Sequence, residues 1–195
     1  MAVDGGIWPA DGDRLFQRPV GPGRIVRLDQ GEGCSRIEAL GIGYFEAAER
    51  LVASVSEDAR CAGRLAYPIL FLYRQALELS LKQVVGAYGP AVGVAPIWSS
   101  HDLEKLWQAH AQVAQRLGAK QDPADAVVGE LIREFAEADP ASYHFRFPVD
   151  TKGQPIPVAH SAIDLQALKA TMDGVWKYLW GSEEYFDHLV RQGGT

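Results

Sequence analysis

Hydrophobic residues recur at helical spacing through most of the chain. They fall three and four residues apart along one face in four segments, while a fifth, at residues 59–88, is apolar on nearly all sides. The pattern therefore predicts five helices, of which the second is surrounded by the others. The segments are residues 37–57, 59–88, 103–117, 123–138 and 161–191.

Local signals mark several helix ends. Ser99 and Asp102 form a capping-box pattern in front of the third helix, and Pro123 stands at the first position of the fourth. Pro68 predicts either a kink or a fresh start in the second helix, and Gly181 predicts a break in the last. The fold class predicted from these residues is an all-α bundle.

The first 36 residues differ from the rest, because they are rich in glycine and proline and show no helical spacing. Within them, residues 24–28 alternate charged and apolar side chains, which is typical of a short strand or an extended arm. The chain is thus predicted to consist of an irregular N-terminal arm, residues 1–36, and a helical bundle, residues 37–195.

Charge limits the partners that such a bundle can bind. The chain has 19 lysines and arginines against 25 aspartates and glutamates, a formal net charge of −6. This balance argues against one broad basic face for duplex DNA or RNA, but it is compatible with a small local cluster around a nucleotide or a single strand.

Cysteine usage and the chain start indicate the compartment. Cys34 and Cys61 are too few for a disulfide framework and are most simply interpreted as reduced thiols. The start lacks the basic and apolar stretches of a signal peptide, and the longest apolar run, residues 65–73, is far shorter than the roughly 20 residues of a bilayer crossing. We expect a soluble, cytoplasmic protein that does not enter a membrane.

Three charged side chains, Arg74, Glu78 and Lys82, lie four residues apart on the second helix. One interpretation is a partly exposed ladder of weak pairs. The other is an internal ion pair that fixes a polar cleft or a dimer contact, because the surrounding sequence is strongly apolar.

Histidines offer few conventional sites. His101 stands at the start of the third helix, where the helix dipole favours a neutral imidazole that packs and orients the preceding loop. The five histidines are scattered, and the chain has no HExxH, no paired Glu-x-x-His and no phosphate-loop glycine pattern. We therefore expect no metal and no cofactor.

The loop at residues 143–150 has an unusual composition. If its backbone is extended, His144 and Arg146 share one side and the two phenylalanines share the other. An arginine held between aromatic rings near a histidine suits a phosphate or a stacked base. Alternatively, the phenylalanines plug the bundle and Arg146 pairs with Glu78 or Asp150.

Three motifs, in this order along the chain, resemble the HEPN superfamily of small helical domains. Members typically show a similar QALE helix, an HDL helix start and an ARYP or FRYP turn before the last helix. The resemblance spans residues 44–189. The matching segments are QALELSLK at residues 75–82, SHDL at 100–103, and FRFP at 145–148, followed by Asp150 and Gly153.

The resemblance implies an up-and-down bundle of four or five helices, usually a homodimer with a polar cleft near the dimer interface. HEPN domains occur beside nucleotidyltransferases and in toxin–antitoxin and phage-defence systems. In the ribonuclease members, an arginine followed four to six residues later by a histidine cleaves RNA. No arginine of this chain has a histidine at that spacing, which favours binding or regulation over catalysis.

Three functions are compatible with these observations. The first is a non-catalytic nucleotide- or RNA-binding, regulatory module. The second is a divergent, metal-independent ribonuclease toxin, with His144 or His101 as acid or base and Arg146 stabilising the phosphate. The third is a structural dimerisation module for a partner such as a nucleotidyltransferase or an antitoxin. The candidate ligand-binding residues are Arg146, His144, His101, Arg74, Glu78 and Asp150.

Overall fold

The computed structural model describes residues 12–16, 26, 28 and 31–193. Two compact units divide the chain, Met1–Gln30 and Gly31–Thr195. An isolated antiparallel bridge joins Val149 and Pro155, and the described residues form no strand, so the all-α prediction is confirmed. The helices of the second unit are α1 (Gly33–Glu57), α2 (Ala62–Tyr88), α3 (Leu103–Arg116), α4 (Pro123–Ala138) and α5 (Leu165–Gly193), with 3-10 turns at Ala59–Cys61 and Pro90–Val92.

Helix α2 is the central element, as its apolar surroundings predict, because it packs against α1, α3 and α5. Each fully buried aliphatic side chain contributes about 1.5–3 kcal/mol to folding before entropy is counted. The charged residues of α2 must therefore share an interior with this apolar core. Its members include Val52, Ile69, Leu77, Leu81, Leu103, Leu106, Ile132, Met172 and Leu179.

Some helix limits differ from those expected. Helix α1 begins at Gly33 rather than near residue 37, so its first turn uses residues counted with the arm. Helix α2 runs through Pro68, and the alternative of a fresh start there is wrong. Helix α5 continues through Gly181 without the predicted break, because a single glycine costs a helix only about 1 kcal/mol and packing outweighs it.

The helix caps also refine the prediction. The capping box expected from Ser99 to Asp102 is wrong, because Asp102 is itself the N-cap and its side chain accepts the Lys105 N–H at 3.0 Å. Asp122 caps α4 in a true capping box, followed by Pro123 at the first position as predicted. These caps fix where each loop turns into a helix.

His110 of α3 is a buried imidazole that packs as a core aromatic. Its ring stacks on Trp107 at 5.0 Å between centroids, and its Nε2 lies 3.3 Å from Ser182 Oγ. Burial lowers the pKa of His110 to about 4, with a small opposing effect of Asp125. The ring is therefore neutral in the folded protein at neutral pH.

Two further predictions concern the N-terminal arm and the possibility of a membrane-spanning helix. The strand or extended arm expected at residues 24–28 lies outside the described residues, apart from Val26 and Leu28. Within the part of the chain that is described, no helix has the length and apolar character needed to cross a membrane.

Candidate functional site

A buried guanidinium organises one region of the bundle. The side chain of Arg74 is 0% exposed, and its Nη1 donates to Glu78 Oε2 at 2.8 Å. Its Nε donates to the backbone oxygen of Asp139 at 3.1 Å, and its Nη2 donates to that of His101 at 2.6 Å. One side chain of α2 thereby binds the backbone two residues before α3 and one residue after α4, so the internal ion pair is the correct alternative for Arg74.

Glu78 is the acceptor at the centre of the same cluster. It is 2% exposed, and its Oε1 accepts Lys82 Nζ at 2.8 Å and His101 Nδ1 at 2.9 Å. Burial by itself raises the pKa of the Glu78 carboxyl. The hydrogen bonds and charge of Lys82, with the hydrogen bonds of Arg74 and His101, outweigh that effect and hold the pKa below its usual value. Glu78 is therefore ionised at neutral pH.

The bond to Glu78 orients the imidazole of His101. An ionised carboxylate only accepts hydrogen bonds, so Nδ1 of His101 carries the proton that it donates. The opposite nitrogen, Nε2, belongs to a side chain that is 57% exposed. The bond to Glu78 thus fixes the orientation of an imidazole that is more than half exposed.

Asp139, a residue that the sequence did not single out, fixes the loop after α4. It is fully buried, and its Oδ1 accepts the backbone N–H groups of Tyr143 at 2.6 Å and His144 at 2.9 Å. Its Oδ2 lies 3.3 Å from Arg74 Nε and has no other partner among the described residues. An acid at a helix C-terminus opposes the helix dipole, and this unfavourable placement is the signal that points to a special role.

The loop turns at residues 144–146, so the extended backbone that would place His144 and Arg146 on one side is absent there. The backbone N–H groups of Arg146 and Phe147 donate to the Tyr143 carbonyl at 3.0 and 3.1 Å, which closes a turn. The turn forms because Asp139 Oδ1 already holds the first two amides of the loop.

The two phenylalanines of this loop have different roles. Phe145 packs edge-on against Phe135 and Tyr67, whereas Phe147 is 46% exposed and supports the Arg146 guanidinium 5.7 Å from its ring centroid. Only the first phenylalanine therefore plugs the bundle. Among the described residues, Arg146 has no acidic side chain within ion-pair distance, so the expected pairs with Glu78 and Asp150 are absent.

His144 and Asp150 are both tied to the backbone. His144 is half-buried, and its Nδ1 lies 3.2 Å from the carbonyl oxygen of Ala138, so Nδ1 is the donor in this bond. Asp150 Oδ1 accepts the N–H groups of Lys152 and Gln154, both at 2.8 Å. Asp150 therefore shapes the tight turn that follows the loop.

The candidate residues form two layers. Arg74 and Glu78 are buried and position their neighbours, whereas His101, His144 and Arg146 belong to the segments that the buried layer holds. In the described part of the chain, no cluster of His, Cys, Asp and Glu is suited to a metal ion.

Similarity to known proteins gives no information on the function of this chain. No protein-family model, no curated protein and no solved structure matches the chain. The resemblance to HEPN domains rests on the three sequence motifs and stays a prediction.

Proposed function

We propose that the protein binds the phosphate groups of a nucleotide or an RNA strand, without cleaving them, at a surface formed by His101, His144 and Arg146. We call this the His–Arg surface. The observation that carries the proposal is the buried Arg74, whose guanidinium binds the backbone at both His101 and Asp139. The bundle thus keeps the charged Arg74 out of water at the position that anchors both the segment of His101 and the segment of His144.

The exposed groups have the chemistry that phosphate recognition requires. Arg146 keeps its charge at any physiological pH, and its planar fork matches two phosphate oxygens. Each histidine has one ring nitrogen bonded to the protein, which leaves the other nitrogen for a ligand. Because the chain has a net charge of −6, such a contact is confined to these few residues.

An aromatic surface lies beside the cation. Phe147 is nearly half exposed next to Arg146, and rings of this kind stack on unpaired bases. A nucleotide or single strand, which offers both a phosphate and an unpaired base, fits this pairing better than a duplex whose bases are stacked inside. The proposal therefore favours a mononucleotide or single-stranded RNA as ligand.

The test is a titration of a fluorescently labelled oligoribonucleotide followed by anisotropy. We expect Arg146→Ala to weaken binding about tenfold or more, since a bidentate charged contact contributes at least about 1.4 kcal/mol. Arg50→Ala removes the same charge from an exposed position on α1 and is the matched control. Equal affinities of the wild type and Arg146→Ala, or no binding by the wild type, would refute the proposal.

One observation favours a second function, metal-independent RNA cleavage. The Glu78–His101 pair holds an imidazole with its second nitrogen outward, as a general base requires. If this function is correct, the purified protein cuts RNA in the presence of EDTA, and His101→Gln abolishes the cleavage. A preparation that binds RNA but leaves it intact contradicts cleavage and supports binding alone.

A further inference from the structure

A cleft between helices α1, α2 and α5 combines aromatic rings with carboxylates. The space inside it that a water-sized group can occupy is about 20 Å³. Ser80 of the cleft lies about 200° around α2 from Glu78, so the cleft opens on the opposite side of α2 from the His–Arg surface. Its lining includes Glu38, Gly41, Ser80, Trp176, Trp180 and Glu183.

The carboxylate of Glu183 has no cationic partner in the described part of the chain. It is half-buried, and its Oε1 accepts a hydrogen bond of 2.6 Å from Gln83 Nε2. Burial raises the pKa of Glu183, the Gln83 bond opposes this, and the charges of Glu38 and Asp187 raise it further. The protein thus holds an acid partly out of water among neutral and negative neighbours, an arrangement that a bound cation would relieve.

The tryptophans supply the second part of the argument. Trp176 is held rigidly, because its ring stacks on Phe45 with a centroid distance of 4.5 Å and an interplanar angle of 11°. Trp180, one helical turn further along α5, is 44% exposed. Indole faces attract cations more strongly than other aromatic side chains, and they also cover the carbon atoms of an organic cation.

A small residue lines the cleft where α1 packs closely against α2. Gly41 is buried there, and an added Cβ would lie 3.5 Å from Leu79 Cβ and 3.8 Å from Ser80 N. The remaining space of about 20 Å³ matches a single ammonium head group and excludes a ring system. A metal ion is a poor match, because it needs several oxygen ligands and gains little from indoles.

We propose that this cleft binds a small organic ammonium ion, with Glu183 and Glu38 neutralising its charge and the indoles of Trp176 and Trp180 covering its alkyl part. Free alkylamines and lysine side chains present the same head group. The site is independent of the His–Arg surface, so the two proposals fail or succeed separately.

Isothermal titration with putrescine and with Nα-acetyl-lysinamide tests the assignment, at an ionic strength matched with potassium chloride. We expect saturable binding by the wild type, weakened about tenfold or more in Glu183→Gln and in Trp180→Ala. Glu184→Gln changes the exposed neighbouring acid, which does not line the cleft, and should bind as the wild type does.

Preference between the two probes distinguishes a free amine from a lysine side chain, and binding of either supports the ammonium site. Far-UV circular dichroism of each variant confirms that the bundle is folded before affinities are compared. No saturable heat up to about 10 mM, or equal affinity in Glu183→Gln, would overturn the proposal, as would an equal response to potassium chloride alone.

Discussion

Replacing Arg74 by methionine tests whether the buried guanidinium holds this region together. Methionine keeps much of the volume but removes three donated hydrogen bonds and the positive charge. Glu78 retains Lys82 and His101, whereas Oδ2 of the buried Asp139 loses the cation that lies 3.3 Å from it. The substitution therefore leaves unpaired mainly the Asp139 carboxylate and the backbone carbonyl groups of His101 and Asp139.

The expected magnitude follows from these losses. Breaking a buried ion pair by removing one partner costs about 3–5 kcal/mol, and two backbone carbonyls lose a donor at about 1 kcal/mol each. Partial relaxation leaves an expected loss of about 4–5 kcal/mol. A domain of this kind has a total stability of about 5–15 kcal/mol, so the variant is folded but weakened.

Urea denaturation followed by far-UV circular dichroism measures this free energy of unfolding. Arg146→Met is the matched control, because that guanidinium is exposed and its loss should cost at most about 0.5 kcal/mol. The double variant Arg74→Met/Glu78→Gln should lose less than the sum of the two single variants, since the two side chains are in direct contact. A loss below about 1 kcal/mol in Arg74→Met would refute the reasoning.

For three further substitutions, the structure determines the sign of the expected change in stability. The pKa of the buried His110 is about 4 in the folded protein and 6.5 in the unfolded chain. Between these two pH values, His110 takes up a proton only in the unfolded chain. Stability should therefore fall by about 3 kcal/mol as the pH drops from 6.5 to 4. His110→Phe should remove that part of the slope in urea titrations, and an unchanged slope contradicts it. Gly89→Ala should destabilise by more than about 1 kcal/mol, because its Cβ would lie 2.5 Å from the Val94 carbonyl oxygen. Gly43→Ala, which meets open space inside α1, should stabilise by about 0.5–1 kcal/mol in thermal melts, and the same sign in both glycine variants would contradict this assignment.

The sequence predicts those features of the fold that depend on neighbouring residues. The start of α4 is an example, because Asp122 and Pro123 supply their own cap and first-turn geometry. The break expected at Gly181 does not occur, because a local penalty of about 1 kcal/mol is smaller than the packing energy of the surrounding helix. Local patterns thus predict where helices exist better than where they end.

The candidate site depends on contacts that are distant in sequence. The spacing of Arg74 and Glu78 shows that they share a helix face, but it is the same for a surface ladder and for a buried pair. Burial is decided by segments that dock later in the chain, at His101 and Asp139. The turn that opens the loop at residues 143–150 likewise involves Asp139, whose side chain accepts the backbone N–H groups of Tyr143 and His144.

The contacts that Arg74 makes with residues distant in sequence also affect the rate at which the native state unfolds. Its backbone acceptors lie 27 and 65 residues away. Closing such long loops costs entropy, so we expect these contacts to form after the folding transition state and to act on the unfolding rate. Stopped-flow measurements on Arg74→Met should therefore show faster unfolding with little change in the folding rate. The buried guanidinium of Arg74 is therefore expected to slow the unfolding of the assembled bundle.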